Sequence, residues 1–157
     1  MAYYIKCIWA PGGQDGLDDG DRTEFAEGQE RAAQRFIKCD GFFLYETGHK
    51  NKDKIGAKAI FAQGTVQMPS KVIDSQDRTN YSIEGGEEKS FPYHVKINLN
   101  EESRVNSLNG VSLNTIRRVL KKPKERMQRQ GGLIEITKDQ FNELCLELEK
   151  CSRKRQK

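Results

Sequence analysis

Phe36-Ile37-Lys38-Cys39-Asp40-Gly41-Phe42-Phe43-Leu44-Tyr45 runs into a polar loop from Glu46 to Lys54 and returns as Ile55-Gly56-Ala57-Lys58-Ala59-Ile60-Phe61-Ala62-Gln63-Gly64-Thr65-Val66-Gln67. Two apolar runs, rich in aromatic and branched residues, flank a loop of Thr, Gly, His, Asn and Lys. That pattern predicts a hairpin with a long tip. Phe42 to Tyr45 has no polar interruption, which predicts a central strand buried on both faces. The return run carries small residues (Gly56, Ala57, Ala59, Ala62, Gly64) where large ones are usual. Small residues let a backbone bend, or let another group approach it closely. A curved hairpin at the heart of a small barrel follows, with Tyr45 at the mouth of its loop.

Upstream, Tyr3 to Trp9 reads as a first strand stopped by Pro11-Gly12-Gly13. Gln14 to Thr23 is rich in Gly and Asp and reads as a mobile loop. Thr23 or Glu24 then starts a short helix, interrupted at Gly28 and resumed over Glu30 to Phe36. Downstream, Met68 to Ser90 reads as a long polar connection with room for one short strand at Tyr81 to Ile83. Tyr93 to Leu99 alternates apolar and polar residues, as a half-buried strand does. Leu113, Ile116, Val119 and Leu120 share one helical face, and Pro123 ends that helix. Leu133 to Ile136 is a short strand. Thr137-Lys138-Asp139-Gln140 is a capping box that opens a last helix, with Phe141, Leu144, Cys145 and Leu148 as its buried stripe. Ser152 to Lys157 reads as frayed. Strands at long intervals with helices between predict an α+β fold, a twisted sheet closed into a small barrel with helices packed outside. Residues 1–150 form the single domain, and 151–157 a flexible basic tail.

The chain has 157 residues, 35% hydrophobic and 32% charged, enough for a core without covalent staples. No apolar run approaches the roughly 20 residues of a membrane helix. The N-terminus lacks a signal-peptide layout, so a cytoplasmic location is expected. The four cysteines, Cys7, Cys39, Cys145 and Cys151, form no CxxC pair, and the two histidines lie far apart. Buried or idle thiols are expected, with no metal and no cofactor. The net charge of +4 is unevenly spread. Asp15 to Glu30 holds seven acids against Arg22 alone, and Arg117 to Arg129 holds seven bases against Glu125 alone. Lys150 to Lys157 adds five bases. Such asymmetry marks either an anionic partner, nucleic acid above all, or solvated faces.

The order of elements and several strings resemble the EVE domain of the PUA-like superfamily. The strings are Tyr3-Tyr4-Ile5-Lys6-Cys7-Ile8-Trp9, Ile37 to Tyr45, Ile55 to Val66, Phe91-Pro92-Tyr93-His94-Val95-Lys96-Ile97, and Gly132-Leu133-Ile134-Glu135-Ile136-Thr137 before the last helix. Cys39-Asp40 stands where the family usually has Gly-Asp, and Thr23-Glu24-Phe25-Ala26 stands where it often has an aromatic and a glycine. The resemblance, which extends to YTH and ASCH domains, implies a PUA-like pseudobarrel. It also implies a non-catalytic reader of a modified base, modified cytosine in DNA or a modified base in RNA, flipped into a pocket on the barrel.

A base reader needs an apolar plane to stack on, polar groups for the base edge and cations for phosphates. Trp9, Phe25 and Tyr45 either pack in the core or line that pocket, their strand ends converging on one rim. Thr47 and Gly48 follow Tyr45 and offer a hydroxyl and loop amides, and Glu24 is a possible acceptor for an exocyclic amine. His49 is expected in solvent, and Tyr93 and His94 face either core or rim. Arg117, Arg118, Lys121, Lys122, Lys124 and Arg126 are the phosphate candidates. There is no P-loop, deaminase pattern or paired nucleophile and base. The alternatives are an ASCH-type nucleic-acid hydrolase, or an adaptor whose basic segment binds an acidic protein. A reader acting in defence or regulation would work with an effector on another chain.

Overall fold

The computed structural model describes residues 2–8, 12–14, 20–48, 50–51, 53–82, 88–123 and 132–155, and for 51, 75–82, 88–89 and 155 the backbone alone. The chain opens with β1 (Tyr3–Ile8), β2 (Arg22–Phe25), α1 (Glu30–Phe36) and β3 (Gly41–Glu46). It continues through β4 (Lys50–Asn51), β5 (Lys54–Ile55), β6 (Ala59–Val66), β7 (Ile73–Ser82) and β8 (Glu88–Leu99). After a 3₁₀ turn at Ser107–Asn109 come β9 (Val111–Ser112), α2 (Leu113–Leu120), β10 (Leu133–Ile136) and α3 (Lys138–Arg155).

The main sheet runs β10-β1-β3-β6-β8-β2, with β7 on β8 and β9 on β6. The predicted hairpin is its centre: β3 and β6 pair antiparallel, with a register shift between Leu44 and Tyr45. All six residues of β3 are buried, as an uninterrupted apolar run requires. Its neighbour β1 runs parallel to it, Tyr3 opposite Gly41 and Cys7 opposite Tyr45. A parallel pair needs a long crossover, and α1 lies in that crossover. Gly64 is small for a concrete reason: a Cβ there would collide with the backbone carbonyl of Asn98 on β8 and press on the Phe42 ring.

Side chains on a strand alternate between faces. Tyr3, Ile5 and Cys7 share one face with Phe43 and Tyr45, and α3 covers it. The Phe141 ring stands 4.5 Å from Tyr3 and 4.9 Å from Phe43, while Leu144 and Leu148 are fully buried. Tyr4, Lys6, Phe42 and Leu44 share the other face. There Phe42 packs on Phe36 of α1 at 4.8 Å, and Phe36 on Phe25 of β2 at 5.5 Å.

The curl of the sheet follows from one contact. Lys6 on β1 and Phe25 on β2 are four strand positions apart in the ladder. In a flat sheet that is about 19 Å, at roughly 4.8 Å per step. The Lys6 ammonium nevertheless sits 4.5 Å from the centre of the Phe25 ring. The sheet therefore bends round on itself, with Lys6 and Phe25 inside the curl. No pairing joins β10 to β2 among the described residues, so the shape seen is a curled half-barrel with helices against it.

Three expectations change. Thr23 and Glu24 do not start a helix: Arg22–Phe25 is a strand paired with Lys96 to Tyr93 of β8. The polar connection after Met68 is largely β7, a ten-residue strand on β8. The frayed end is helical through Arg155. Ser152 is buried and donates to the Glu102 carbonyl at 2.6 Å, which ties down that last stretch. The capping box holds as expected: the Thr137 amide donates to Gln140 Oε1 at 2.9 Å and the Gln140 amide to Thr137 Oγ1 at 3.1 Å.

Candidate nucleic-acid interface

Two ionisable side chains lie deep on the inner face, two positions apart along the β1–β3 ladder. Lys6 is opposite Leu44, and Glu46 is opposite Ile8. Glu46 has no exposed surface. Its Oε1 accepts from the Gly13 amide at 2.8 Å. Its Oε2 accepts from Gln14 Nε2 at 3.0 Å, the Ala57 amide at 2.7 Å and Ser107 Oγ at 2.9 Å. One carboxylate thus ties three connections (residues 12–14, the turn before β6 and the 3₁₀ turn) to the end of β3. It is a structural clamp, with its oxygens occupied by neutral donors.

Lys6 is 4% exposed. Its ammonium has three donors, and among the described residues one acceptor meets them, the Cys7 carbonyl at 3.1 Å. The Phe25 ring lies beneath it, and a Cβ on Gly132, just before β10, would be 3.5 Å from Nζ. No carboxylate lies within ion-pair distance of Nζ among the described residues. Burial pulls its pKa from 10.5 down to about 8, against the opposing pull of Cys7 and Glu24. Thr23 precedes Phe25 by two residues on the same face of β2. Its hydroxyl is buried and has no hydrogen-bond partner among the described residues. Among the described residues, the inner face therefore holds an ammonium with one acceptor for three donors and a hydroxyl without a partner, beside an aromatic ring.

The predicted site residues divide between the two faces. Phe25 is inside the curl and fully buried, held between Lys6 and Phe36. Tyr45 is 2% exposed and shares the other face with Cys7. Burial pushes its hydroxyl pKa above the usual range, Cys7 adds to the shift, and nearby Arg117 opposes it. The two rings do not converge on one rim, because alternation along β1 and β3 sends them to opposite sides of the sheet. Thr47 is buried, and its amide continues the ladder by donating to the Ile8 carbonyl at 3.0 Å. Gly48 lies under the aliphatic stem of Lys58, which would have to shift to admit a Cβ. Trp9, Lys124 and Arg126 fall outside the described residues, as does His49.

Glu24 is paired with Arg22 at 3.6 Å and stands opposite His94. Tyr93 and His94 are both half-buried. Of the phosphate candidates, Arg118, Lys121 and Lys122 are exposed and Arg117 is half-buried beside Tyr45. Lys121 caps α2 in a left-handed conformation, φ 56°, so the helix ends at Leu120, three residues before Pro123.

Burial raises the pKa of every thiol: Cys7 to about 12, Cys39 and Cys145 to about 11, and Cys151 by a smaller step. A nucleophilic cysteine needs the opposite shift. No group of three His, Cys, Asp or Glu among the described residues is placed to hold a metal. No described helix is long and apolar enough to cross a membrane.

No protein-family model matches the sequence, and no curated protein matches it. Among solved structures, the fold is similar to the YTH domain of Mmi1, solved in complex with RNA. The TM-score is 0.58 at 12% identity, over 98% of this chain and 81% of that one. The likeness is one of fold: a mixed α+β chain built like a YTH domain.

Proposed function

We propose that this chain is a non-catalytic nucleic-acid reader that takes one base, in its modified form, out of the stack. The modified base is a cytosine in DNA or a base in RNA. The observation that carries the proposal is Lys6, a buried ammonium whose described surroundings leave donors unused. A lysine is almost never fully buried without partners, because an unpaired buried charge is costly. A carbonyl oxygen or ring nitrogen on a base edge is the kind of acceptor that would complete it. Thr23 adds a second hydrogen-bonding group. Trp9, next in sequence after Ile8 at the end of β1, supplies a stacking plane in this scheme, worth roughly 1–3 kcal/mol. Lys6 is closed off in the structure, so capture entails opening the inner face. Arg117, Arg118, Lys121 and Lys122 serve the phosphates. The solved RNA complex of a protein with a similar fold supports the same class of ligand. The raised thiol pKa values weigh against a cysteine nucleophile.

Oligonucleotide titrations followed by fluorescence of Trp9, the single tryptophan, test this. Single- and double-stranded DNA and RNA would be compared, plain and carrying methylated or hydroxymethylated cytosine or methylated adenine. Quenching that tightens for one modification, and is lost in Lys6→Met, is the expected result. Binding that ignores modification and is indifferent to Lys6→Met would refute a base pocket there.

A further inference from the structure

The last turns of α3 carry Lys150, Arg153 and Lys154 on a fixed helix, not a frayed tail. Leu148 and Ser152 anchor this part of the helix, Leu148 by full burial and Ser152 through its bond to Glu102. Facing the three bases is the junction of β9 and α2, where Ser112 and Thr115 share a hydroxyl hydrogen bond at 3.1 Å. Between them lies an open cleft of about 460 Å³. Glu147 is the one acid on its wall. It is already engaged by two cations, Arg118 at 3.4 Å and Lys150 at 3.3 Å. Arg153 is 3.7 Å from Glu149, and Lys154 makes no ion pair among the described residues. Arg118 is also the link onward: it joins the cleft to Lys121 and Lys122 at the other end of α2.

We propose that this cleft binds the phosphodiester backbone of a single-stranded nucleic acid, as a second contact beyond the base pocket. Arg153 offers a planar fork, Lys150 and Lys154 offer point charges, and the two hydroxyls offer neutral donors, a set suited to phosphate oxygens. The strand runs from the cleft past Arg118 toward Lys121 and Lys122. The inference rests on the reader function proposed above.

The test is the salt dependence of binding by the full chain to a 15-nucleotide single strand. Wild type would be compared with Arg153→Gln/Lys154→Gln, and with Lys71→Gln/Lys138→Gln, which removes equal charge from exposed positions elsewhere. The slope of log K against log[salt] changes by about 0.7 per phosphate contact on a single strand. The cleft variant should lose about 1.4 from the slope and about tenfold in affinity at low salt, with preference for the modified base retained. The control should keep the wild-type slope. An unchanged slope in the cleft variant, or an equal change in the control, would overturn the cleft alone. Failure of wild type to bind any strand would overturn the reader proposal and this inference together.

Discussion

Glu46 and Lys6 share one face of the same strand pair, both are buried, and they are solvated in opposite ways. Four donors surround the carboxylate, drawn from Gly13, Gln14, Ala57 and Ser107. The ammonium has one described acceptor, contributed by the next residue in its own strand. Simple attraction would bring two opposite charges together in a low-dielectric interior. The fold keeps them apart, and so gives them different roles. Glu46 is satisfied within the protein and holds loops in place. Lys6 has one acceptor for three donors among the described residues, and the proposed base contact would supply another.

The sharpest way to break the contrast is Glu46→Ala. It takes the acceptor from four donors, two of them in buried hydrogen bonds, and leaves a void, with an expected cost of about 4 kcal/mol. For a chain of this size the melting temperature would fall by about 8–16 °C. Glu46→Gln keeps the shape and one acceptor oxygen and should lose about half as much. Thermal melts showing Glu46→Ala within about 1 kcal/mol of wild type would mean that the four hydrogen bonds are not a clamp.

The contrast was only partly visible in the sequence. The β3–β6 hairpin, β1, the α2 face and the capping box of α3 are local patterns, and each was legible. Glu46 was not: its partners lie 33, 32, 11 and 61 residues away, and only the fold brings them together. Lys6 sits where alternation along Tyr4-Ile5-Lys6-Cys7 would place it on an exposed face. It is buried because β2 curls over it, a long-range event. β2 was obscured by the surrounding acids, although Thr23 and Phe25 alternate with Arg22 and Glu24. The end of α3 was obscured because Ser152 continues the Leu144 and Leu148 stripe with a polar residue whose acceptor lies on a distant loop. Of the site, the residue types were legible and their sides were not, since Phe25 and Tyr45 face opposite ways.

The next largest effect is a dependence of stability on pH. Lys6 titrates near 8 in the folded chain, against 10.5 as the ordinary value. Between those values the unfolded state holds the extra proton, so Lys6 makes stability rise with pH. Below about pH 8 its full penalty of about 3 kcal/mol applies, and it vanishes above about pH 10.5. Cys7, raised to about 12, acts in the opposite direction above pH 9. The difference between wild type and Lys6→Met isolates the lysine. Urea midpoints from pH 7 to 10 should show wild type gaining on the variant by up to about 3 kcal/mol. A flat difference would show that the ammonium is not buried alone.

Lys6→Met should also weaken binding of the preferred modified strand by about 10–100-fold at pH 7, the loss of one charge-assisted hydrogen bond of roughly 1.4–2.7 kcal/mol. Because the ammonium is the donor, wild-type affinity should decline above about pH 8, while the variant's should not follow that titration. Parallel pH profiles would detach Lys6 from the ligand.

The smallest effect separates a group held for a ligand from one that is simply unsatisfied. The hydroxyls of Thr23 and Ser90 are both buried without partners among the described residues. Removing such a hydroxyl while keeping the shape relieves its desolvation, so Thr23→Val and Ser90→Ala should each raise stability by about 1 kcal/mol. They should differ in binding. Thr23 shares a strand face with Phe25, beneath the Lys6 ammonium, so Thr23→Val should cost roughly fivefold in affinity, a difference of about 1 kcal/mol. Ser90 neighbours the turn after β2, where its carbonyl accepts from the Glu27 amide at 3.0 Å, and Ser90→Ala should leave affinity unchanged. If Thr23→Val gained stability and kept its affinity, the Thr23 hydroxyl would stand with Ser90 as an unsatisfied group, and Lys6 alone would define the polar edge of the pocket.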